Sequence, residues 1–228
     1  MLETFRYKDS IISVEAQTDA GELIREEIAN LRHTLEGVIK KDPYFQTSHE
    51  PISLSEENLP EIIREMLDAS KKADVGPMAA VAGTVSELIC KKLKESGCSW
   101  AIVENGGDIF CYGDRIFKVS VHAGNNPVSE RLVFEINPKE SGYAICTSSG
   151  KVGHSISFGN CDATIVFAKN AAIADAFATA IANKVGEIED GILFAKEYVG
   201  KEIDGVFIVK GRNVGKVGKI PRIGTVEG

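Results

Sequence analysis

The chain has 228 residues, 43% of them hydrophobic, and its 33 Asp and Glu against 26 Lys and Arg give a formal net charge of −7. These totals predict one globular domain over residues 1–228, or two halves that share one core. The acidic balance argues against a nucleic-acid partner, which needs a basic face. A small anionic ligand stays open, because a few backbone N–H groups bind phosphate at any net charge.

Cysteine usage and hydropathy predict a cytoplasmic protein that does not enter a membrane. The five cysteines are odd in number and form no CxxC pair. No signal peptide is seen in residues 1–10, so we expect reduced thiols. No apolar run is long enough to span a bilayer, since the richest candidate is interrupted by Asp175.

The first half of the chain alternates strand and helix patterns. Residues 4–16 predict a strand pair, and Thr18 or Asp19 can cap a helix that ends near Lys41. An irregular connector over residues 44–54 leads to a second helix near Pro60. A third helix begins at residues 76–77 (Gly-Pro) and runs to about residue 95, and the small residues at its start predict close approach to another backbone.

The second half is rich in strand patterns. Predicted strands, several of them joined by turns, cover residues 100–104, 109–112, 116–122, 132–136, 143–146, 163–168 and 206–209, and predicted helices follow 168 and cover 187–198. The tail, residues 211–228, predicts a hairpin and a loose end. This order of elements predicts an α+β fold with a mainly antiparallel sheet backed by helices.

Asp175 and Thr179 are the first candidates for chemistry, since they lie four residues apart and share one face of the alanine-rich helix. Asn183 extends that stripe by another turn. A carboxylate and a hydroxyl are hard ligands that suit Mg2+ or Ca2+. On spacing alone, the structural interpretation is preferred: Asp175 satisfies buried backbone groups or pairs with a lysine, and Thr179 bonds back to a carbonyl.

Two small-residue segments each have a structural and a functional interpretation. Residues 105–108 (NGGD) have the composition of a hairpin turn, but glycines also allow a backbone to lie flat against a ligand. Residues 147–150 (TSSG) are either a loop or a nest of N–H and hydroxyl donors for phosphate. No P-loop is proposed, because the lysine of that motif is missing.

His154 is the candidate for proton transfer, because it lies between two glycine-containing turns, although it could simply hydrogen-bond within its loop. Cys146 with His154 also permits a nucleophile–base hypothesis. A cysteine at the end of a buried strand is more often part of the core, so this hypothesis ranks well behind.

Together these segments resemble an uncharacterised family related to the ApbE proteins. The resemblance rests on residues 75–83 (VGPMAAVAG), 104–108 (ENGGD), 146–150 (CTSSG) with 153–155 (GHS), and 174–176 (ADA) with 178–180 (ATA). The match is ordered and covers most of the chain. ApbE proteins are Mg2+-dependent flavin transferases that bind FAD, some cleave it to FMN and AMP, and their α+β fold is related to the T-fold.

The resemblance implies a small-molecule nucleotide ligand, FAD or FMN, together with Mg2+. It implies that Asp175 and Thr179 bind the metal and that His154 corresponds to the histidine of the ApbE loop. Gly106-Gly107 and Ser149-Gly150 then lie at the ligand. The full set of candidate binding residues is Asn105, Gly106, Gly107, Asp108, Thr147, Ser148, Ser149 and Gly150.

One departure from the ApbE pattern leaves the activity open. ApbE proteins follow the loop histidine with a run containing Asp-Pro, whereas residues 155–159 here read SISFG. We therefore expect cleavage or transfer at a phosphoanhydride, or else a non-catalytic protein that keeps the pocket. A third hypothesis is a protein that acts through homo-oligomeric assembly. The roles of Asp162 and Cys146 stay open.

Overall fold

A computed structural model describes residues 2–8, 10–55, 58–121, 132–149 and 161–225 of the chain. Its strands are β1 (Leu2–Tyr7), β2 (Ser10–Ala16), β3 (Ala101–Asn105), β4 (Asp108–Gly113), β5 (Phe117–Ser120), β6 (Leu132–Ile136), β7 (Lys139–Ser148), β8 (Ala163–Ala168), β9 (Gly205–Lys210), β10 (Asn213–Gly218) and β11 (Arg222–Thr225). Its helices are α1 (Gly21–Lys41), α2 (Tyr44–Thr47), α3 (Glu61–Ala73), α4 (Val81–Glu95), α5 (Ala171–Lys184) and α6 (Ile188–Ala195).

The main sheet has eight strands in the order β1-β2-β3-β4-β7-β8-β9-β10. Every neighbouring pair in it is antiparallel. Helices cover one face of this sheet, with α4 packed on β3 and β4 and α5 on β7 and β8. The predicted α+β fold, a mainly antiparallel sheet backed by helices, is therefore confirmed.

The central strands of the main sheet, such as β4 and β8, are buried on both faces, because a second sheet of three strands, β11-β6-β5, lies on the side away from the helices. Side chains of β4 alternate between the two cores. Phe110 and Tyr112 belong to the helix-side cluster, whereas Ile109 and Cys111 belong to the cluster beneath the second sheet. This alternation follows from the two-residue period of a strand and decides which residues face the site described below.

Several sequence predictions need correction. Within the predicted tail, Arg222–Thr225 forms a further strand that pairs with β6, which the sequence did not indicate. The connector contains the short helix α2. Helix α1 is not capped by a side chain: its N-cap is Ala20, and Asp19 instead accepts the N–H of Gly21. The Gly-Pro start of the third helix is a 3₁₀ turn, Pro77–Ala80, which α4 follows directly.

Small residues let α5 lie deep in the molecule. All residues from Ala171 to Ala182 are buried, and the helix packs against α3, α4, β7 and β8. In the described part of the chain, no single helix is long and apolar enough to cross a membrane. Helix α3 and the segment Pro77–Glu95 reach that length and composition only together, across a bend of 106°.

Candidate functional site

Asp175 and Thr179 lie in the interior, on the part of α5 that faces the start of α4. Their exposed fractions are only 8% and 7%. Helix α5 begins after Asn170, whose side chain accepts the N–H of Ile173 at 2.8 Å. A buried carboxylate needs partners that compensate for lost hydration, so the contacts of Asp175 define the site.

Asp175 caps helix α4 from across the helix pair. Its Oδ2 accepts the N–H of Gly83 at 2.9 Å, and the N–H of Ala82 also donates to the carboxylate. These N–H groups belong to the first turn of α4, where no intrahelical acceptor exists and the helix dipole favours negative charge. The structural interpretation of Asp175, that it satisfies buried backbone groups, is thus confirmed.

Gly83 makes this contact geometrically feasible. A Cβ atom at residue 83 would lie 2.4 Å from the carbonyl oxygen of Ala171 and 2.9 Å from the Cβ of Asp175. Only a residue without a side chain lets α4 and α5 approach this closely. The close approach expected from the small residues at the start of this helix is therefore present.

Asp108 supplies a second buried carboxylate, from the sheet side. Its Oδ1 accepts the N–H of Thr147 at 3.1 Å, and the thiol of Cys146 lies close to it. Burial raises the pKa of Asp108 well above its usual range, and the negative charge of neighbouring Asp175 raises it further. Burial likewise raises the pKa of Asp175, although the N–H groups of Gly83 and Ala82 oppose that shift.

The turn between β3 and β4 is a hairpin, as its composition predicts. Gly106 and Gly107 have φ values of 65° and 99°, which glycine adopts without strain. The N–H of Gly107 donates to Glu104 Oε1 at 2.8 Å, and Asn105 Nδ2 donates to the carbonyl of Ala82 at 3.3 Å. The Asn105 bond fixes the turn beside the first turn of α4 and hence beside Asp175.

Space lies open next to the turn. A Cβ on Gly106 would meet no atom of the described residues within 4 Å, and one on Gly107 would just reach Thr147, at 4.0 Å. This is the flat, accessible backbone that the ligand-binding interpretation of these glycines requires. Both interpretations of the turn are compatible with the geometry.

The structure describes only part of the candidate phosphate-binding segment at the end of β7, residues 147–150. Ser148 lies two residues after Cys146 on β7 and so faces the helices. Its Oγ is buried and has no hydrogen-bond partner among the described residues. Ser149 is placed, whereas Gly150 and the candidate proton-transfer residue His154 lie outside the described residues.

The two residues left open by sequence have structural contacts. Cys146 is fully buried, its thiol donates to the carbonyl of Ala171 at 3.6 Å, and burial raises its pKa well above the usual value. A high pKa disfavours the thiolate that a nucleophile needs. Asp162 Oδ2 accepts the N–H of Gly211 at 2.6 Å, so it holds the turn between β9 and β10. All five cysteines are buried and free of disulfides.

Sequence reasoning missed Glu87, which caps α5 as Asp175 caps α4. Glu87 Oε2 accepts the N–H of Ala171, the first residue of α5, at 2.5 Å. Burial raises the pKa of Glu87 to about 7, and the nearby charge of Glu65 adds to the shift. Nothing in the local sequence marks Glu87 as a capping residue, because the N–H that it accepts lies 84 residues away in the chain.

Glu87 also borders a cavity of about 240 Å3 between α3, α4, β4 and the start of α5. The cavity is lined by Glu61, Glu65, Thr84, Glu87, Leu88, Cys90, Lys91, Lys94, Phe110, Tyr112, Glu140, Ser141, Asn170 and Ala172. Its lining contains none of Asp108, Asp175 or Gly107. It is therefore separate from the carboxylate pair, and we assign the candidate site to the pair and the turn.

The donor set fits a hard divalent cation. Asp175 and Thr179 offer oxygen ligands one turn apart, and the neighbouring carboxylate of Asp108 adds negative charge. Among the described residues, no group of three or more His, Cys, Asp or Glu is arranged to hold a metal. A cation here would thus depend on hydroxyl, backbone, water or ligand oxygens for the rest of its shell.

The fold is that of the ApbE proteins. The chain superimposes on the flavinyl transferase ApbE of Pseudomonas stutzeri with a TM-score of 0.64 and 13% identity, covering 96% of this chain and 94% of that one. The corresponding values for the ApbE protein of Thermotoga maritima are 0.59 and 12%, with 95% and 97% covered. At these identities the likeness establishes the fold.

The sequence comparisons establish the family. The model described as AbpE bacteria matches residues 4–196, and the chain belongs to this ApbE-related family. A UPF0280 protein of Methanococcus maripaludis strain C6 is 48% identical over 202 residues, 86% of this chain and 81% of that protein. A UPF0280 protein of Methanosarcina acetivorans is 40% identical over 229 residues, 99% and 89% of the two chains. The resemblance stated from the motifs is thereby confirmed.

Proposed function

We propose that this protein binds a flavin nucleotide, FAD or FMN, together with Mg2+, and cleaves or transfers at the phosphoanhydride of FAD. One observation carries the proposal. Asp175 and Thr179 are buried one turn apart on α5, Asp175 binds the start of α4, and the carboxylate of Asp108 and the open glycine turn lie beside them. Two neighbouring buried carboxylates are costly unless a cation or protons compensate their charge.

The protein's own residues would divide the work between them. Asp175 uses Oδ2 to bind the first turn of α4, and we assign its remaining ligand capacity and the Thr179 hydroxyl to the metal. When bound, Mg2+ would polarise phosphate oxygens and neutralise developing charge. Asp108 fixes the backbone of Thr147 through its Oδ1, which keeps the strand end in register with the helix pair.

The ligand side of the site is assigned to the two small-residue segments. Gly106 and Gly107 offer backbone without intruding side chains, and Asn105 holds their turn against α4. Thr147, Ser148, Ser149 and Gly150 would supply N–H and hydroxyl donors to phosphate. The unpartnered Oγ of Ser148 supports this assignment, because buried hydroxyls are normally hydrogen-bonded. His154 is proposed for proton transfer on the family resemblance.

A non-catalytic protein that keeps the pocket is the second candidate. It is favoured by residues 155–159 (SISFG), which lack the Asp-Pro of the ApbE pattern. Such a protein would store or present a flavin nucleotide without turnover. In both cases we propose a cytoplasmic protein without a nucleic-acid partner, and homo-oligomeric assembly is part of the proposal to be checked by light scattering.

Titration of the purified protein with FAD, with and without MgCl2, tests the proposal. We expect calorimetric binding that strengthens with Mg2+, and release of AMP on incubation with FAD, alone or with a flavin-acceptor protein. Binding without AMP under both conditions would select the non-catalytic candidate. Absence of binding with and without Mg2+, together with an unchanged melting temperature, would overturn the proposal.

A further inference from the structure

Helices α4 and α5 are joined by a reciprocal pair of carboxylate caps. Asp175 on α5 accepts the N–H of Gly83 on α4 at 2.9 Å, and Glu87 on α4 accepts the N–H of Ala171 on α5 at 2.5 Å. Gly83 and Glu87 are one turn apart on α4, as are Ala171 and Asp175 on α5. The two helices thus lie antiparallel, and each carboxylate sits one turn after the backbone group that the other binds.

Directional contacts of this kind are needed to fix α5. The side chains that α5 buries are mostly alanines, whose apolar packing does not by itself define the rotation or axial position of a helix. Asn170 binds the N–H of Ile173, and Glu87 binds the N–H of Ala171. Together these bonds hold the first turn of α5, and Asp175 follows on the next turn.

Glu87 is surrounded by charged groups of both signs. Glu65 and Glu61 of α3 add negative charge, whereas Lys91 of α4 adds positive charge. The same cavity is bordered by Lys94 of α4, Tyr112 of β4 and Glu140 of β7. Lys91 and Lys94 are already engaged, with Glu61 and with the carbonyl of Glu140 respectively. Glu87 itself is tied to α5 by the hydrogen bond that it accepts from the N–H of Ala171.

We propose that Glu87 is a positioning residue for the metal site, holding α5 so that Asp175 and Thr179 present their oxygens together. This inference rests on the proposed function. Glu87 does not touch the metal or the substrate in this assignment, and it acts through the backbone of Ala171. Loss of the bond would let the first turn of α5 shift, which moves both ligand side chains with it.

Mn2+ affinity, measured by electron paramagnetic resonance at 25 °C, tests the inference alongside the melting temperature of each variant. Glu87→Ala is expected to weaken Mn2+ binding about tenfold, the usual scale for removing a partner that orients a metal ligand. Glu87→Gln keeps an oxygen acceptor for the N–H of Ala171 and should recover most of the affinity. Glu61→Gln, which changes the same cavity away from α5, is the matched control and should bind as the wild type does.

A fourth variant keeps the test decisive if Glu87→Ala does not fold. Glu87→Asp retains the charge but shortens the reach by one methylene, so it should weaken Mn2+ binding more than Glu87→Gln does. If folded Glu87→Ala binds Mn2+ as tightly as the wild type does, the positioning role is overturned and the metal assignment stands. The same conclusion follows if Glu87→Gln and Glu87→Asp both bind Mn2+ with wild-type affinity. A wild-type protein that binds no Mn2+ would instead overturn the metal assignment of the proposed function, and the positioning role with it.

Discussion

Gly83 and Ala171 are in backbone contact, since a Cβ atom on residue 83 would lie only 2.4 Å from the Ala171 carbonyl oxygen. This contact places the first turn of α4 within reach of Asp175, whose carboxylate receives the N–H of Gly83. The same glycine therefore sets the distance between the helices and donates to the candidate metal ligand.

Gly83→Ala should lower both stability and metal affinity. Alanine favours a helix over glycine by about 1 kcal/mol, but overpacking a tight interface costs about 1–3 kcal/mol, and the obstacle here is backbone that cannot rotate away. We expect a melting temperature lower by a few degrees and weaker Mn2+ binding. Gly37→Ala on α1 is the control: outside the backbone of α1 itself, no atom of the described residues lies within 4 Å of its added Cβ, so it should raise the melting temperature. A stabilised Gly83→Ala variant would contradict the packing argument.

Substitutions of Asp175 separate its cap from its proposed ligand role. Asp175→Asn retains an oxygen acceptor for the N–H of Gly83, whereas Asp175→Ala leaves that buried donor unpaired at a cost of about 1–3 kcal/mol. The alanine variant should therefore melt several degrees lower than the asparagine variant. Both should lose Mn2+ binding, measured by calorimetry, because neither supplies an anionic ligand. Wild-type affinity in Asp175→Asn would contradict the metal assignment while leaving the cap intact.

Local patterns in the sequence predicted the individual parts of this site but not their contacts. The shared helix face of Asp175 and Thr179 could be predicted because a helix repeats every few residues. The glycine turn at residues 105–108 could be predicted because a turn depends on its own few residues. Gly83 and Asp175 are 92 residues apart, and no local pattern encodes their hydrogen bond. The partner of Glu87 was hidden for the same reason.

The second sheet was missed on similar grounds. Strand β11 pairs with β6 through contacts such as Ile223 with Phe134, almost 90 positions away, and its glycine-rich, basic sequence carries little strand signal. Burial of the central strands of the main sheet on both faces follows from the presence of this second sheet. Alternation along β4 indicated a strand, but it could not indicate what covers the second face.

Gly106→Asn distinguishes the turn from a ligand contact. Asparagine tolerates the left-handed conformation at φ 65°, and no atom of the described part of the chain lies within 4 Å of the added Cβ, so the melting temperature should change little. If a nucleotide lies against this backbone, the new side chain should weaken FAD binding severalfold in calorimetric titration. Gly211→Asn, at φ 61° in the turn between β9 and β10, is the control and should leave FAD affinity unchanged. If Gly106→Asn and Gly211→Asn bind FAD with equal affinity, Gly106 serves the turn and does not contact the ligand.

The stability of the metal-free protein should fall as pH rises. Glu87 and Asp175 both have pKa values raised by burial, so the folded state binds their protons more tightly than the unfolded state does. For Glu87, the stabilisation is complete below 4.5 and is lost as pH rises to about 7. Melting temperatures in EDTA should decline over that window, and less steeply in Glu87→Gln. Addition of Mn2+ above the window should offset the decline, because the metal binds the ionised carboxylate of Asp175. If the melting temperatures of the wild type and of Glu87→Gln decline in parallel with pH, Glu87 does not contribute to the decline and its pKa is not raised as stated.

Ser148→Ala should stabilise the protein in the absence of a ligand and weaken its binding of nucleotide. The Ser148 Oγ is buried without a partner among the described residues, and an unsatisfied buried hydroxyl costs about 1–3 kcal/mol. Removing it should raise the melting temperature of the ligand-free protein by a few degrees. If the hydroxyl donates to a phosphate oxygen, FAD affinity should drop about tenfold or more, as expected for losing a hydrogen bond to a charged group. Thr164→Val is the matched control, because Thr164 lies opposite Ser148 but its hydroxyl already contacts Cys161. Thr164→Val should lose stability and keep its FAD affinity. If Thr164→Val and Ser148→Ala lose FAD affinity equally, the cause is a general change of the strand pair and not a phosphate contact.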